Sequence, residues 1–213
     1  MRNFLLTIAL PVFNDAKALQ LTISSVLKSR RNFAQDIEII VYDNCSFDDG
    51  FAVATNALFG QENSRVLRHR TNVGFGQNLV ALANESKGDY LWFIGAGDTV
   101  EPNQLPKVLQ LLESRRPDFC VVHGLFNFHS YWNYEPPAQV LEVAKRGQAS
   151  SAAVFNHAVS LNIMRRSVMM GYEPPLATST SENFGHTGEK PTDSLTLYSP
   201  KADYWPHLDA ICQ

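Results

Sequence analysis

Apolar and β-branched residues fall into five short runs between Phe4 and Phe128, and stretches of helical spacing separate them. "FLLTIAL" (4–10), ended by Pro11, predicts a strand buried on both faces. From Asp15 onward, Ala16, Leu19, Ile23, Val26 and Leu27 recur at helical spacing, with Asp15 placed where a carboxylate suits the helix dipole. "IEIIVY" (37–42) predicts a second buried strand, and "DDGFAVATNALFG" a helix closed by Gly60. "SRVLRH" (64–69) predicts a third strand, and "GQNLVALANESKG" a helix stopped by Gly88. "YLWFI" (90–94) predicts a fourth. Pro102 suits the first turn of a helix carrying Leu105, Val108, Leu109 and Leu112, which ends before Pro117. "FCVVHGLFNF" (119–128) predicts a fifth strand.

Alternation of strand and helix predicts an α/β protein: a Rossmann-like, open, mainly parallel sheet with helices on both faces. Beyond about residue 130 the pattern weakens. "QVLEV" and "VSLNIM" suit strands, with a small helix around "SSAAVFNHA" between them. Residues 172–200 are rich in Pro, Ser, Thr and Gly and predict a long mobile loop, either a lid or acceptor-binding segment or simple disorder. The 213 residues are enough for one substantial domain, divided into halves 1–118 and 119–213. Apolar residues make up 45% and charged residues 18%, which argues for a folded core rather than disorder. A net charge of −3 gives no basic surplus for nucleic acid. No apolar run is long enough to span a bilayer, and "MRNFLLTIALPVFND" reads as a first strand rather than a leader. Cys45, Cys120 and Cys212 show neither zinc nor disulfide spacing, which suits a reducing cytoplasm.

In open α/β sheets ligands bind beyond the carboxyl ends of the strands. The segments placed there are "PVFND", "DNCSFDD", "RTNVGFGQN" and "GAGD", polar or small after apolar strands. "FIGAGDTVEP" poses the sharpest question. A dinucleotide fingerprint wants Gly-x-Gly-x-x-Gly, but Val100 stands at the third position and Asp98 would face the pyrophosphate. A nicotinamide oxidoreductase is therefore the weakest of the rival functions.

Taken together in order, "LPVFND", "IIVYDNCSFDD" and "NVGFGQNLVALANESKGDYLWFIGAGD" resemble the nucleotide-binding half of a family 2 glycosyltransferase with the GT-A fold, of bacterial surface-polysaccharide type. The resemblance covers residues 4 to 115 and extends loosely beyond. It implies a nucleotide-sugar site built from Pro11, Phe13, Asn14 and Asp15, from Asp43, Asn44 and Ser46, from Asn72, Gly74 and Asn78, and from Gly95, Ala96 and Gly97. Asp43 would accept a hydrogen bond from the nucleobase, as an ionised carboxylate is acceptor-only. The Phe13 region would pack near base and ribose. The family's acidic metal motif is reduced here to Asp98, with Gly95 and Gly97 at the places of the other acids. The resemblance implies a divalent cation, Mn2+ or Mg2+, held by Asp98 and largely by phosphate oxygens and water. It also implies a catalytic base near a late helix, where Asp203 and His207 stand one turn apart in "ADYWPH". Glu182, Glu189 and Asp193 are next in line.

The same residues have structural readings. Asp43 and Asp48 suit turn and helix caps, Asn72-Val73-Gly74 suits a plain turn, and Asp98 suits the cap of the helix after it. His123, His129 and Trp92 suit the core or its rim, and Cys45 a loop filler. The implied function is inverting, metal-dependent transfer of a sugar from a nucleotide-diphosphate sugar to a glycan or lipid-linked glycan hydroxyl, in the cytoplasm or at the inner face of the membrane. The rival is a catalytically inactive nucleotide-sugar-binding module of the same fold.

Overall fold

The computed structural model describes residues 4–102, 105–122, 126–127, 140–144, 160 and 162–170. Among the described residues seven strands form one sheet in the order β3-β2-β1-β4-β9-β6-β8. These are β1 (Phe4–Val12), β2 (Ile37–Asp43), β3 (Ser64–Arg68), β4 (Gly88–Phe93), β6 (Phe119–Val122), β8 (Val140–Ala144) and β9 (Asn162–Arg165). A two-residue β5 (Thr99–Val100) pairs antiparallel with β7 (Phe126–Asn127) apart from it. The helices are α1 (Ala16–Arg30), α2 (Gly50–Leu58), α3 (Phe75–Glu85), α4 (Leu105–Arg115) and α5 (Arg166–Met170).

The α/β class is as expected. From β3 to β4 every pairing is parallel. Beyond β4 the sheet turns antiparallel, because β9 returns between β4 and β6. Alternate residues of the same strands feed two cores. Leu6, Ile8, Leu10, Ile39 and Trp92 pack in one with Leu19 and Ile23 of α1, Leu58 of α2 and Leu105 and Leu112 of α4. Ala9, Ile40, Leu91 and Phe93 pack in the other with Leu79 and Leu82 of α3 and Met169 of α5. A strand buried on both faces has to be apolar at successive positions, so β1 shows no alternation. Each fully buried Leu or Ile contributes about 1.5–3 kcal/mol of transfer free energy.

Several boundaries differ from the pattern's expectation. β1 continues through Pro11, which pairs in register with Tyr42. The ladder to β4 ends at Ala9, so Pro11 has only β2 beside it and its missing N–H costs no bond there. Gly88 is the first residue of β4 rather than the stop of α3. A Cβ on it would stand 2.5 Å from the Thr7 nitrogen, so its bareness serves the approach of β4 to β1. Pro106, not Pro102, occupies the first turn of α4, and Pro102 lies in a turn before it. The fifth run divides into β6 and β7, since one continuous strand could not serve both sheets. Gly60 closes α2 as expected, at φ +71°. The loop 172–200, the small helix near 150–158, His123, His129, Asp203, His207, Glu182, Glu189 and Asp193 lie outside the described residues. Among the described residues no helix is long and apolar enough to cross a membrane.

Candidate functional site

β2 and β3 end side by side, and their parallel register sets Asp43 opposite Arg68. Asp43 is fully buried. Its Oδ2 accepts the Ser46 N–H at 3.1 Å and lies 3.0 Å from Arg68 Nε. Its Oδ1 is buried with no hydrogen-bond partner among the described residues. An ionised oxygen left in that state costs more than the usual 1–3 kcal/mol of an unsatisfied group, roughly, unless a ligand completes it. Arg68 is further held by a bond from its Nη2 to the Ser46 carbonyl at 2.7 Å and by the Phe51 ring 5.3 Å from its guanidinium carbon.

The loops after β1 and β2 are locked together. Asn14 N–H donates to Ser46 Oγ at 2.9 Å, and Phe47 N–H donates to Asn14 Oδ1 at 2.7 Å. Asp48 Oδ2 accepts the Ala16 N–H at 2.8 Å, and its Oδ1 accepts the Gly50 N–H at 3.0 Å. Asp48 thus caps α1 from another loop, while Asp15, the residue before α1, makes no side-chain capping bond. Asn14 and Cys45 both take left-handed backbone, at φ 54° and 64°, which these cross-loop bonds hold in place. Phe13 and Phe47 meet edge to face, with centroids 6.4 Å apart, and Phe47 is 90% exposed.

The amides of the third segment build the loops. Asn44 Nδ2 donates to Asn72 Oδ1 at 2.8 Å, and Asn44 Oδ1 accepts the Val73 N–H at 2.9 Å. Asn72 Oδ1 also accepts the Gly74 N–H at 2.8 Å, the turn chemistry that the sequence allows, and Gly74 follows at φ +83°. Asn78 Nδ2 donates to the Tyr42 carbonyl at 3.1 Å, which turns its Oδ1 toward His69 Nε2 at 3.2 Å. That acceptor puts the ring proton on Nε2 of His69. The His69 ring stacks on Tyr42 at 4.2 Å. The three asparagines are thus tied to protein atoms and shape the rim.

The Gly95–Asp98 loop is pinned from two sides. Gly95 N–H donates to Ser160 Oγ at 2.8 Å, and Gly97 N–H donates to Thr22 Oγ1 at 2.9 Å. Two of its amides are therefore taken by hydroxyls, unlike those of a loop that cradles a pyrophosphate, and Gly97 needs its glycine for φ +96°. Ser160 Oγ donates to Asp98 Oδ2. β5 separates Asp98 from α4, which removes the reading of Asp98 as that helix's cap. Among the described residues no three His, Cys, Asp or Glu side chains gather as a metal site. One carboxylate fits a cation that arrives with a diphosphate, and does not by itself form a cage. Cys120 is no nucleophile, since burial pushes its thiol up to about 12.

Sequence reasoning missed Arg68, Thr22 and Ser160. Arg68 comes opposite Asp43 only in the observed register of β2 and β3, since aligning the predicted strand ends sets His69 against Tyr42 instead. Thr22 sits on the inner face of α1 among apolar residues, where a hydroxyl gives no periodic signal. Ser160 lies 62 residues from Asp98 in sequence and approaches it only through the return of β9.

The family model for "Glycosyl transferase family 2" matches residues 7–171. Glycosyltransferase GlyG of Streptococcus pneumoniae serotype 4 is 26% identical over 131 residues, covering 62% of this chain and 40% of that protein. The undecaprenyl-phosphate 4-deoxy-4-formamido-L-arabinose transferase of Photorhabdus laumondii is 23% identical over 109 residues, covering 50% of this chain and 33% of that protein. The crystal structure of S. aureus TarS 1–349 in complex with UDP superposes with a TM-score of 0.66 at 16% identity, covering 97% of this chain and 54% of that one. The chain thus spans well under two thirds of the length of each of these proteins.

Proposed function

The chain belongs to glycosyl transferase family 2, and on that premise we propose that it binds a nucleotide-diphosphate sugar at the carboxyl ends of β1, β2 and β4 and transfers the sugar to a glycan hydroxyl. The observation that carries this is the buried, unpartnered Oδ1 of Asp43 at the end of β2. Its other oxygen is already held by Ser46 and Arg68, so the group is fixed in place and lacks one donor. The imide N–H of uracil or thymine, or the N–H edge of guanine, supplies that donor to an acceptor-only carboxylate. Asp43 is fully covered in the free chain. Base binding therefore goes with a small opening of the rim, where Phe13 and Phe47 present ring surface to the base and ribose.

Asp98, at the end of β4, is the residue suited to a divalent cation, Mn2+ or Mg2+. When bound, such a cation neutralises the leaving diphosphate. Gly95 keeps a side chain out of the space beside that carboxylate, since a Cβ on it would stand 3.4 Å from Asp98 Oδ2. Asp203, in the "ADYWPH" segment, is proposed as the base that takes the acceptor proton as the hydroxyl attacks the anomeric carbon, with His207 assisting. Direct attack inverts the anomeric configuration. The GlyG likeness and the UDP-bound TarS structure support a nucleotide-sugar donor. The undecaprenyl-phosphate sugar transferase of Photorhabdus laumondii supports a lipid-linked acceptor, which this chain would meet at the inner face of the membrane.

Thermal-shift measurement with UDP, GDP, dTDP and CDP, each with and without Mn2+, tests the donor side. Stabilisation by at least one N–H-bearing nucleotide, lost in Asp43→Ala, is expected; equal response of the variant removes the site. A second reading, a binding module without turnover, draws on the single carboxylate at the Gly95–Asp98 loop. Nucleotide-sugar binding with neither hydrolysis nor transfer would establish it. Asp203→Asn is expected to lower turnover about a hundredfold with donor binding unchanged.

A further inference from the structure

Ser160 enters the loop after β4 from a distant part of the chain. It is 1% exposed and stands just ahead of β9, the strand inserted antiparallel between β4 and β6. Its carbonyl accepts the Trp92 indole N–H at 2.8 Å, which fastens the residue to β4 itself. Its hydroxyl then serves two partners of opposite kind. Gly95 N–H can only donate, so Ser160 Oγ accepts from it at 2.8 Å. An ionised carboxylate can only accept, so the single hydroxyl proton goes to Asp98 Oδ2. Both bonds end in the same Gly95–Asp98 turn, which is also closed by Asp98 N–H donating to the Gly95 carbonyl at 3.2 Å.

We propose that Ser160 is a positioning residue for Asp98, setting the carboxylate in the orientation that receives a divalent cation. The proposal rests on the reading of Asp98 given above. A serine that merely filled space would leave its hydroxyl to its own helix or strand, whereas this one bridges the two ends of the turn that carries the carboxylate. The bridge also links the halves of the chain. Ser160, just ahead of β9, belongs to the second half, and the carboxylate it orients belongs to the first. Groups that orient a metal-binding carboxylate typically change affinity by about tenfold to a hundredfold when removed.

The test is calorimetric. UDP affinity is measured with Mn2+ and with EDTA in wild type, Ser160→Ala, Ser160→Cys and Asp98→Asn. The ratio of the two affinities isolates the cation's contribution, and the melting temperature of each ligand-free variant is read alongside. Asp98→Asn is expected to abolish the Mn2+ enhancement. Ser160→Ala is expected to reduce it by about tenfold or more, with UDP affinity in EDTA within about twofold of wild type. Ser160→Cys, close in volume but a poor donor, is expected to fold and to fall between. A purely structural serine would lower the melting temperature and leave the ratio unchanged. Wild-type enhancement in Ser160→Ala or Ser160→Cys, alongside its loss in Asp98→Asn, overturns the role of Ser160 alone. No enhancement in wild type, or its survival in Asp98→Asn, overturns the reading of Asp98 and the proposal with it.

Discussion

Asp43 and Arg68 face each other as the last residues of adjacent parallel strands, with Arg68 Nε 3.0 Å from Asp43 Oδ2. The carboxylate is fully buried, while the Arg68 side chain is 41% exposed. Such an asymmetric pair holds a charge at a chosen spot more than it adds stability, because the exposed partner is screened by water. The arrangement fixes the carboxylate and leaves its Oδ1 buried without a hydrogen-bond partner among the described residues.

Removing that carboxylate separates the two roles. Asp43→Ala is expected to weaken binding of the preferred nucleoside diphosphate by about 1.5–3 kcal/mol, the scale of a hydrogen bond to a charged group. Arg68→Ala instead leaves the buried charge without its cation and is expected to cost about 1–3 kcal/mol of folding stability in urea titrations. Unchanged nucleotide affinity in folded Asp43→Ala would take Asp43 out of the site.

Asp48 is a cap for two helices at once, through Ala16 and Gly50. Asp48→Ala is expected to lower unfolding free energy by about 1–2 kcal/mol, and Asp48→Asn by less, since an amide oxygen still accepts. The corresponding change at Asp15, which makes no side-chain cap bond, is expected to lie within about 0.5 kcal/mol. Equal effects at the two positions would contradict the cross-loop cap.

Gly88 and Gly60 make a contrast between space and backbone conformation. A Cβ at Gly60 meets nothing within 4 Å, and only φ +71° opposes it, so Gly60→Ala is expected to cost about 1–2 kcal/mol. A Cβ at Gly88 would meet backbone of β1 at 2.5 Å and 2.8 Å. Gly88→Ala is expected to cost more than about 3 kcal/mol or to prevent soluble expression, because β4 has to move away from β1. Circular dichroism melts of the two variants decide the order.

Cys120, whose thiol is pushed up to about 12 by burial, remains overwhelmingly protonated at pH 8. Alkylation by iodoacetamide under native conditions, followed by peptide mapping, is expected to leave Cys120 unmodified until the protein is unfolded in urea. Rapid native labelling at Cys120 would mean that β6 opens readily.

The sequence alone determined the alternation from β1 to β4, the helices between them and, to within a residue or two, the places where the strands end. Each rests on short-range physics: buried strands show as apolar runs, helices as one apolar face, and strand ends as a change to polar and small residues. That was enough to assemble Pro11, Asp43 and Asp98 at one end of a sheet. It did not reach Gly88, where the reason for glycine is the Thr7 backbone on another strand, nor the cap of α1, whose acceptor comes from 32 residues away. Least legible of all was Ser160, because a lone serine carries no periodicity. Only the return of β9 between β4 and β6 brings it to Asp98. Tertiary packing made that choice, since the pairing of distant strands depends on how all the faces are buried together and not on any one segment's pattern.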